Sequence, residues 1–563
     1  MKNFLRQLFF RSRYVPAAVA GVLLALAFPS VGIAGCAWVA PALMLAAAWN
    51  TSGAERFRLG FVAGLGFYLT ALYWLLLIPV TGYPILGWLA LSAYLALYPA
   101  TWLWLLEGKI GTGSWARRTL WSLAGAAIWV ALEMIVSRLF SGFPWLILGN
   151  SQARLLPLIQ IASVTGVYGV SFLVVWISLS LCSATVALLR QPANRHAWLG
   201  EIILPLGVVV AGFFFGMSRL RETDSDAPTC RVTLVQPSIP QTMIWDQSEN
   251  TNRFRQVLEL SERALTNETD LLLWPEAALP QFDEASFTAI TNLVHAHRVW
   301  MILGADEVQQ REPPSGKEDY DVFNSAFLFG PDGSFRSTYR KQKLVIFGEY
   351  VPLIRWLPFI KYFTPITGGF TPGTQPVPFK LERGAPARRD SASVTNRAGP
   401  ELRAPIHIST LICFEDVFPH LVPEYVRMHT DFLVNLTNDG WFGEGAEQWQ
   451  HAASATFRAV ENGVPLVRCC NNGLTCWIDA HGVVRQFFRD ARGSVYGTGA
   501  MTAQIPLLPP GEKREPTFYN RHGDWFGWSC VGVLALIGLP RLRKIVHRKT
   551  GQAVKLPAVK LPA

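Results

Sequence analysis

Eight apolar stretches constrain this chain more than any other feature of its 563 residues: Val15–Phe28, Val31–Trp49, Leu59–Pro79, Ile85–Leu106, Leu120–Val136, Leu158–Leu189, Trp198–Met217 and Trp525–Leu539. About 20 apolar residues cross a bilayer as a helix, so most of these are long enough to span. A mean hydropathy of +0.24 with 16% charged residues excludes a pair of soluble domains. The N-terminus imitates a signal peptide, and Ile33-Ala-Gly-Cys36 imitates a lipidation site. Apolar sequence resumes at Ala37, however, so a second span is expected.

Basic residues alternate along these stretches. Lys2, Arg6, Arg11 and Arg13 precede the first; Arg56 and Arg58 separate the second and third; Lys109, Arg117 and Arg118 follow the fourth; Arg190 and Arg195 follow the sixth. Pro29–Ser30 and Val80–Pro84 carry no Lys or Arg, whereas the tail Arg541–Lys549 is densely basic. Lys and Arg are retained on the cytoplasmic face, so eight spans put both termini inside and the long polar region outside. Ser137–Pro157, with Arg138 and Arg154, departs from the pattern. Much of the net charge of +10 lies beside spans, where it orients them and meets anionic lipid, so no nucleic-acid partner is expected.

Three parts are expected: an N-terminal membrane domain of about seven helices over 1–227, an extracytoplasmic catalytic domain over 228–510, and a C-terminal membrane helix with a basic cytoplasmic tail over 511–563. In the middle part, β-branched and apolar runs at Arg231–Gln236, Asp270–Trp274, Val299–Gly304, Phe323–Phe329 and Phe432–Leu436 read as strands. Segments ending near Asn267, at Phe287–Arg298 and at Gln448–Glu461 read as helices. That alternation predicts an α/β layered domain. Arg383–Arg403, with five arginines, reads as a solvated insertion.

Three segments carry chemistry. An apolar run ends on Cys413-Phe-Glu-Asp416, another ends on Trp274-Pro-Glu276, and Tyr339-Arg-Lys341 is followed eight positions later by Glu349. A thiol needs a base and a positive neighbour to act as a nucleophile near neutral pH. Glu276 could take and return its proton, Lys341 could stabilise a thiolate and an oxyanion, and the backbone N–H of Phe414 could complete an oxyanion hole. Five of the eight cysteines fall in this region, an odd number, and Cys413 is expected to stay free. Without a G-x-S-x-G elbow, a P-loop, a dinucleotide fingerprint or recognised His ligand spacing, neither cofactor nor metal is expected.

The three segments resemble the nitrilase superfamily, whose fold is an α-β-β-α sandwich. With the apolar stretches around them, nearly the whole chain resembles the apolipoprotein N-acyltransferase family. Further matching segments are Ser141-Gly-Phe-Pro-Trp-Leu146, Val235–Gln241 with Trp245, Phe347–Pro352, Asn438–Gly443, Trp449-Gln-His451 and Asn471-Asn-Gly473. The resemblance implies Glu276 as base, Lys341 as its electrophilic partner, Cys413 as nucleophile and Glu349 as a second acid orienting the lysine. Glu415, Trp245 and Trp441 would line the acyl-accepting site. Phe414 departs from the tyrosine that the family often has there.

The implied reaction takes an acyl chain from a membrane phospholipid as a Cys413 thioester. The chain then passes to the amine of a diacylglyceryl-cysteine apolipoprotein at a bacterial inner membrane, with the catalytic domain on the periplasmic side. Two rivals stay open: a membrane-tethered amidase that delivers the acyl group to water, and a sensor or transporter with an inactive nitrilase fold.

Overall fold

The computed structural model describes residues 12–80, 82–106, 113–190, 196, 198–221, 227–279, 282–311, 319–352, 369–382 and 404–552. The Arg383–Arg403 insertion, Lys2, Arg6, Arg11, Lys109 and Arg195 lie outside these residues.

Among the described residues, four helices are long and apolar enough to cross a bilayer: Tyr83–Leu105, Trp115–Val136, Val167–Arg190 and Leu199–Arg219. The other four expected stretches form helices that are shorter or more charged. Tyr14–Leu26 has 13 residues, about 20 Å of helix at 1.5 Å per residue. Val31–Trp49 divides into the tight turn Ala34–Trp38 and the helix Ala40–Ala47. Gly53–Ala71 has 19 residues but opens on Glu55, Arg56 and Arg58. In Trp525–Gln552 the apolar run Trp525–Gly538 agrees with the expected stretch to within one residue but is a shorter apolar helix.

The stretch read as Leu158–Leu189 is also broken, into Leu156–Ile159, Ala162–Thr165 and Val167–Arg190. Gly166 makes the break at φ +68°, where a Cβ would lie 2.5 Å from the Tyr519 ring. Elsewhere the helices pack through small residues: a Cβ on Gly64 would lie 2.6 Å from Ala96 Cα, so Gly53–Ala71 and Tyr83–Leu105 meet backbone to backbone. At one end of the bundle Arg13 bonds the Trp49 carbonyl, Arg56 bonds the Leu106 carbonyl, and Arg190 lies over the Trp49 ring. Pro29, Ala71 and Trp74 lie at the other end, against the polar region. On Leu199–Arg219, Ile203, Leu206 and Phe214 are exposed, an apolar surface suited to lipid.

Twelve strands among the described residues form two six-stranded sheets. The first contains β1 (Thr229–Gln236), β2 (Leu271–Leu273), β3 (Trp300–Arg311), β4 (Asp319–Phe329), β5 (Phe335–Arg340) and β12 (Gly499–Pro506), in the order β12-β1-β2-β3-β4-β5. The second contains β6 (Pro378–Leu381), β7 (Ile406–Ile412), β8 (Phe432–Thr437), β9 (Leu466–Cys470), β10 (Cys476–Ile478) and β11 (Val484–Phe487), in the order β11-β10-β9-β8-β7-β6. Each has three parallel central strands, β1-β2-β3 and β7-β8-β9, flanked by antiparallel ones.

Side-chain alternation builds the layers. Leu271 and Leu273 face the core shared with Ile408, Leu411 and Leu433 of the second sheet, while Leu272 packs with Val257, Ile290 and Val294 of the helices Asn250–Ala264 and Glu284–His297. Opposite, the helix Ala446–Asn462 covers the second sheet, and every residue in it except Trp449 is buried. It is buried all round because its outer face meets the membrane helices: Phe457 and Val460 pack with Ala127, Val130, Ile159 and Tyr168. The α-β-β-α sandwich thus rests on the helical bundle through one of its own layers.

Candidate active site

Glu276, Lys341 and Cys413 each follow the C-terminal end of a strand, β2, β5 and β7. Lys341 is buried; its Nζ lies 3.0 Å from Glu276 Oε1 and 2.8 Å from Glu349 Oε1. Asn324 Nδ2 donates to the same two oxygens at 2.7 and 2.8 Å, so the carboxylates share an ammonium and an amide. The backbone fixes this end as well, since the Asn324 carbonyl accepts from Lys341 N at 2.9 Å. Burial opposes the lysine's charge, but Glu276 and Glu349 outweigh it and hold its pKa well above the ordinary value.

Cys413 is half-buried and free. It opens the tight turn Cys413–Val417 with φ +51°, a left-handed conformation that L residues rarely adopt. Its carbonyl accepts from Asn435 Nδ2 at 3.1 Å and from His451 Nε2 at 3.3 Å. Burial and the charge of Glu276 push the thiol well above the ordinary range, while Lys341 and a hydrogen bond with Thr437 pull the other way. The resting thiol therefore keeps its proton and must lose it to a base before attacking a carbonyl.

Glu415, expected as a supporting residue that lines the acyl-accepting site, lies in the turn that Cys413 opens. It is fully buried and accepts from Ile412 N at 2.8 Å, Gln342 N at 2.7 Å and Tyr339 Oη at 2.8 Å. It ties the Lys341 segment to the Cys413 turn, and burial pushes its pKa up to about 7. Trp245 and Trp441 form an edge-on pair with centroids 5.2 Å apart, and Trp245 is exposed. Asn438, in the turn bearing Trp441, bonds Gln241 at the start of the helix ending in Trp245. The Phe414 ring lies 6.2 Å from Phe143, 6.0 Å from Trp145 and 5.0 Å from Phe418. Ser141 Oγ meets Tyr350 Oη at 2.7 Å, so the Ser141–Leu146 segment touches both the residue after Cys413 and the residue after Glu349.

Beneath Cys413 lies a buried group that sequence reasoning missed: Asp416, Asp439, Glu447, His451 and Arg468. His451 Nδ1 is 3.0 Å from Asp439 Oδ1, its Nε2 is 2.8 Å from Asp416 Oδ1, and Arg468 pairs with Asp416. Ligand atoms of Asp439, Glu447 and His451 lie within 4.8 Å of one another, close enough for a metal ion. Arg468 Nη2 is 3.6 Å from Asp439 Oδ2, so a guanidinium already supplies positive charge there. Burial and the Asp439 charge raise Glu447 well above the usual carboxylate range, leaving Asp416 and Asp439 to balance His451 and Arg468. The Asn438–Gly443 and Trp449-Gln-His451 matches and the Cys413-Phe-Glu-Asp416 segment contain three of these residues without pairing them.

The two stacked six-stranded sheets belong to a carbon-nitrogen hydrolase domain, the family that matches residues 231–503. Residues 20–180 match the apolipoprotein N-acyltransferase N-terminal domain. An apolipoprotein N-acyltransferase of Geobacter metallireducens is 35% identical over 96% of this chain and 97% of its own, and one of Chlorobaculum tepidum is 29% identical over 93% and 96%. This chain belongs to the apolipoprotein N-acyltransferase family. Among solved structures, an amidase from Nesterenkonia sp. covers 50% of this chain and 91% of its own, with 17% identity and a TM-score of 0.33.

Proposed function

We propose that the protein transfers an acyl chain from a membrane phospholipid to the amine of a diacylglyceryl-cysteine apolipoprotein through a thioester on Cys413. Glu276 takes the thiol proton as sulfur attacks the ester carbonyl; the S–C bond forms, the ester C–O bond breaks, and Glu276 returns the proton to the departing glycerol oxygen, releasing a lysophospholipid. The acceptor amine then attacks the thioester: a C–N bond forms, the C–S bond breaks, and the amine proton passes through Glu276 to the sulfur. Lys341, with the Phe414 N–H, stabilises the oxyanion in both steps, and Glu349 and Asn324 hold Lys341 in place. Trp245 and Trp441 would receive the acceptor. Neither cofactor nor metal enters these steps.

One observation carries this reading over the hydrolytic one. The residue after Cys413 packs against Phe143 and Trp145, in the segment that follows the helix Trp115–Val136, which supports a thiol placed beside the membrane helices, where acyl chains would arrive and water would be scarce. Each N-terminal apolar stretch runs between the Arg-rich end of the bundle and the end meeting the sandwich. That arrangement supports a multi-pass protein of the bacterial inner membrane with its sandwich on the periplasmic side. Residues 1–227, 228–510 and 511–563 then serve as membrane domain, catalytic domain, and anchoring helix with its tail. The test is incubation of the full chain in vesicles with phospholipid labelled in its acyl chains and a diacylated lipopeptide. Label on the lipopeptide amine, with an acyl adduct on Cys413 by mass spectrometry, is expected; label only in free fatty acid would make the protein a hydrolase.

A further inference from the structure

The Cys413 carbonyl is gripped from below by two side chains of different origin. Asn435 comes from β8, within the second sheet, and is set by strand pairing. His451 comes from the helix Ala446–Asn462, which lies between the sheet and the membrane bundle. Its neighbour Gln450 bonds that bundle at four points: the Pro29 carbonyl at 2.9 Å, the Ala71 carbonyl at 3.1 Å, Trp74 Nε1 at 3.1 Å and Trp145 Nε1 at 2.9 Å.

Both ring nitrogens of His451 face oxygens. Nδ1 looks at Asp439 Oδ1, with Glu447 Oε1 at 3.7 Å; Nε2 looks at Asp416 Oδ1 and the Cys413 carbonyl. A neutral imidazole has a single N–H, so this arrangement calls for the doubly protonated ring. Burial and Arg468 oppose that charge, but Asp416 and Asp439 outweigh them and raise the pKa to about 10. The Trp145 ring, 5.2 Å from the imidazole, closes the remaining side.

We propose that His451 is a positioning residue: its imidazolium donates Nε2–H to the Cys413 carbonyl and holds the nucleophile's turn in its left-handed conformation. The proposal rests on Cys413 being the nucleophile. It makes the helix Ala446–Asn462 the link by which the membrane bundle, through Gln450, sets the place of the sulfur. The carbonyl, 3.3 Å from an Nε2 that also faces Asp416 Oδ1 at 2.8 Å, belongs to the residue that carries the sulfur, so a modest pull on it bears directly on the nucleophile's turn.

His451→Met alone would leave two buried carboxylates facing one cation, so the test uses charge-balanced pairs. Asp416→Asn with His451→Met removes one charge of each sign and the N–H donor; Asp416→Asn with His451→Gln removes the same charges but keeps an amide donor. All variants are full-length, in lipid vesicles, and compared with the native protein and with each other. Relative to the native protein, the Met pair should form the Cys413 acyl adduct about 100-fold more slowly, as expected for a misplaced reacting group, with the donor KM within about twofold. The Gln pair should recover about tenfold of that rate. Equal rates in the Met and Gln pairs would overturn the proposal, as would failure of both pairs to fold, since His451 would then serve the fold rather than the turn. An acyl adduct persisting in Cys413→Ala would instead remove the nucleophile assignment beneath it.

Discussion

On the first sheet two carboxylates, Glu276 and Glu349, share one ammonium, whereas beneath the second sheet's nucleophile Asp416 and Asp439 face two cations, His451 and Arg468. Both groups are buried and hydrogen-bonded, so burial alone does not separate reactive from structural charge. Balance does. An excess carboxylate can accept a proton without leaving a bare positive charge behind, while a neutralised set holds its members in place and has little to gain from exchanging protons.

The comparison breaks most completely at Cys413. Cys413→Ser should abolish acyl transfer while leaving membrane insertion normal, both measurable in the vesicle assay with labelled phospholipid. Glu276→Gln should lower transfer by about 10²- to 10⁴-fold, the ordinary worth of a general base. The same change removes the negative charge that raises the thiol pKa, so iodoacetamide should alkylate Cys413 faster at pH 7 than in the native enzyme. Opposite signs in the two assays separate proton acceptance from electrostatics; a fall in both would mean that Glu276 only orders the site. In the native protein the raised thiol makes alkylation climb with pH and keep climbing past about pH 9, where an ordinary thiol levels off.

On the balanced side the expected loss is stability. Arg468→Met strips a fully buried cation from Asp416 and Asp439 and should destabilise the fold by about 3–5 kcal/mol, seen in thermal unfolding of the solubilised protein. Protein that unfolds normally but has lost activity would move Arg468 to the reactive side.

Glu276 and Cys413 were legible in the sequence because each ends an apolar run, and a strand ending on a reactive side chain presents it at the sheet's edge. Lys341 and Glu349 could be paired only through the family resemblance, since a spacing of eight positions fixes no contact. Asn324 could not be found this way: it is one polar residue within β4, and its two partners meet it only after β2 and β5 are in place. Glu415 is legible as a neighbour of the nucleophile, two positions after it, but its partners are not, because Gln342 and Tyr339 lie in a distant segment. Asp416, Asp439 and Arg468 would each pass for solvated residues; what buries them is the contact between the second sheet and the helix under the bundle. The apolar stretches announce the membrane half but not its breaks, because nothing local in the sequence marks Gly166 as the glycine that takes φ +68° against the Tyr519 ring.

The smallest expected effect sharpens the contrast at the point where the two halves of the site meet. Phe414 stands beside the nucleophile, yet its ring contacts are apolar and aromatic: stacked on Trp145, tilted to Phe143 and edge-on to Phe418. Phe414→Tyr adds a hydroxyl at the ring's far end and leaves the backbone N–H, the group assigned to the oxyanion, unchanged. Half-burial of this side chain leaves the new hydroxyl a route to water, so stability should shift by less than about 1 kcal/mol. Steady-state transfer should stay within about threefold of the native rate, an energy difference near 0.7 kcal/mol. A gain of tenfold or more would assign the hydroxyl a part in proton transfer or acceptor binding. The second sheet would then supply a reactive group besides the thiol itself, and its charge-balanced scaffold could no longer be called inert.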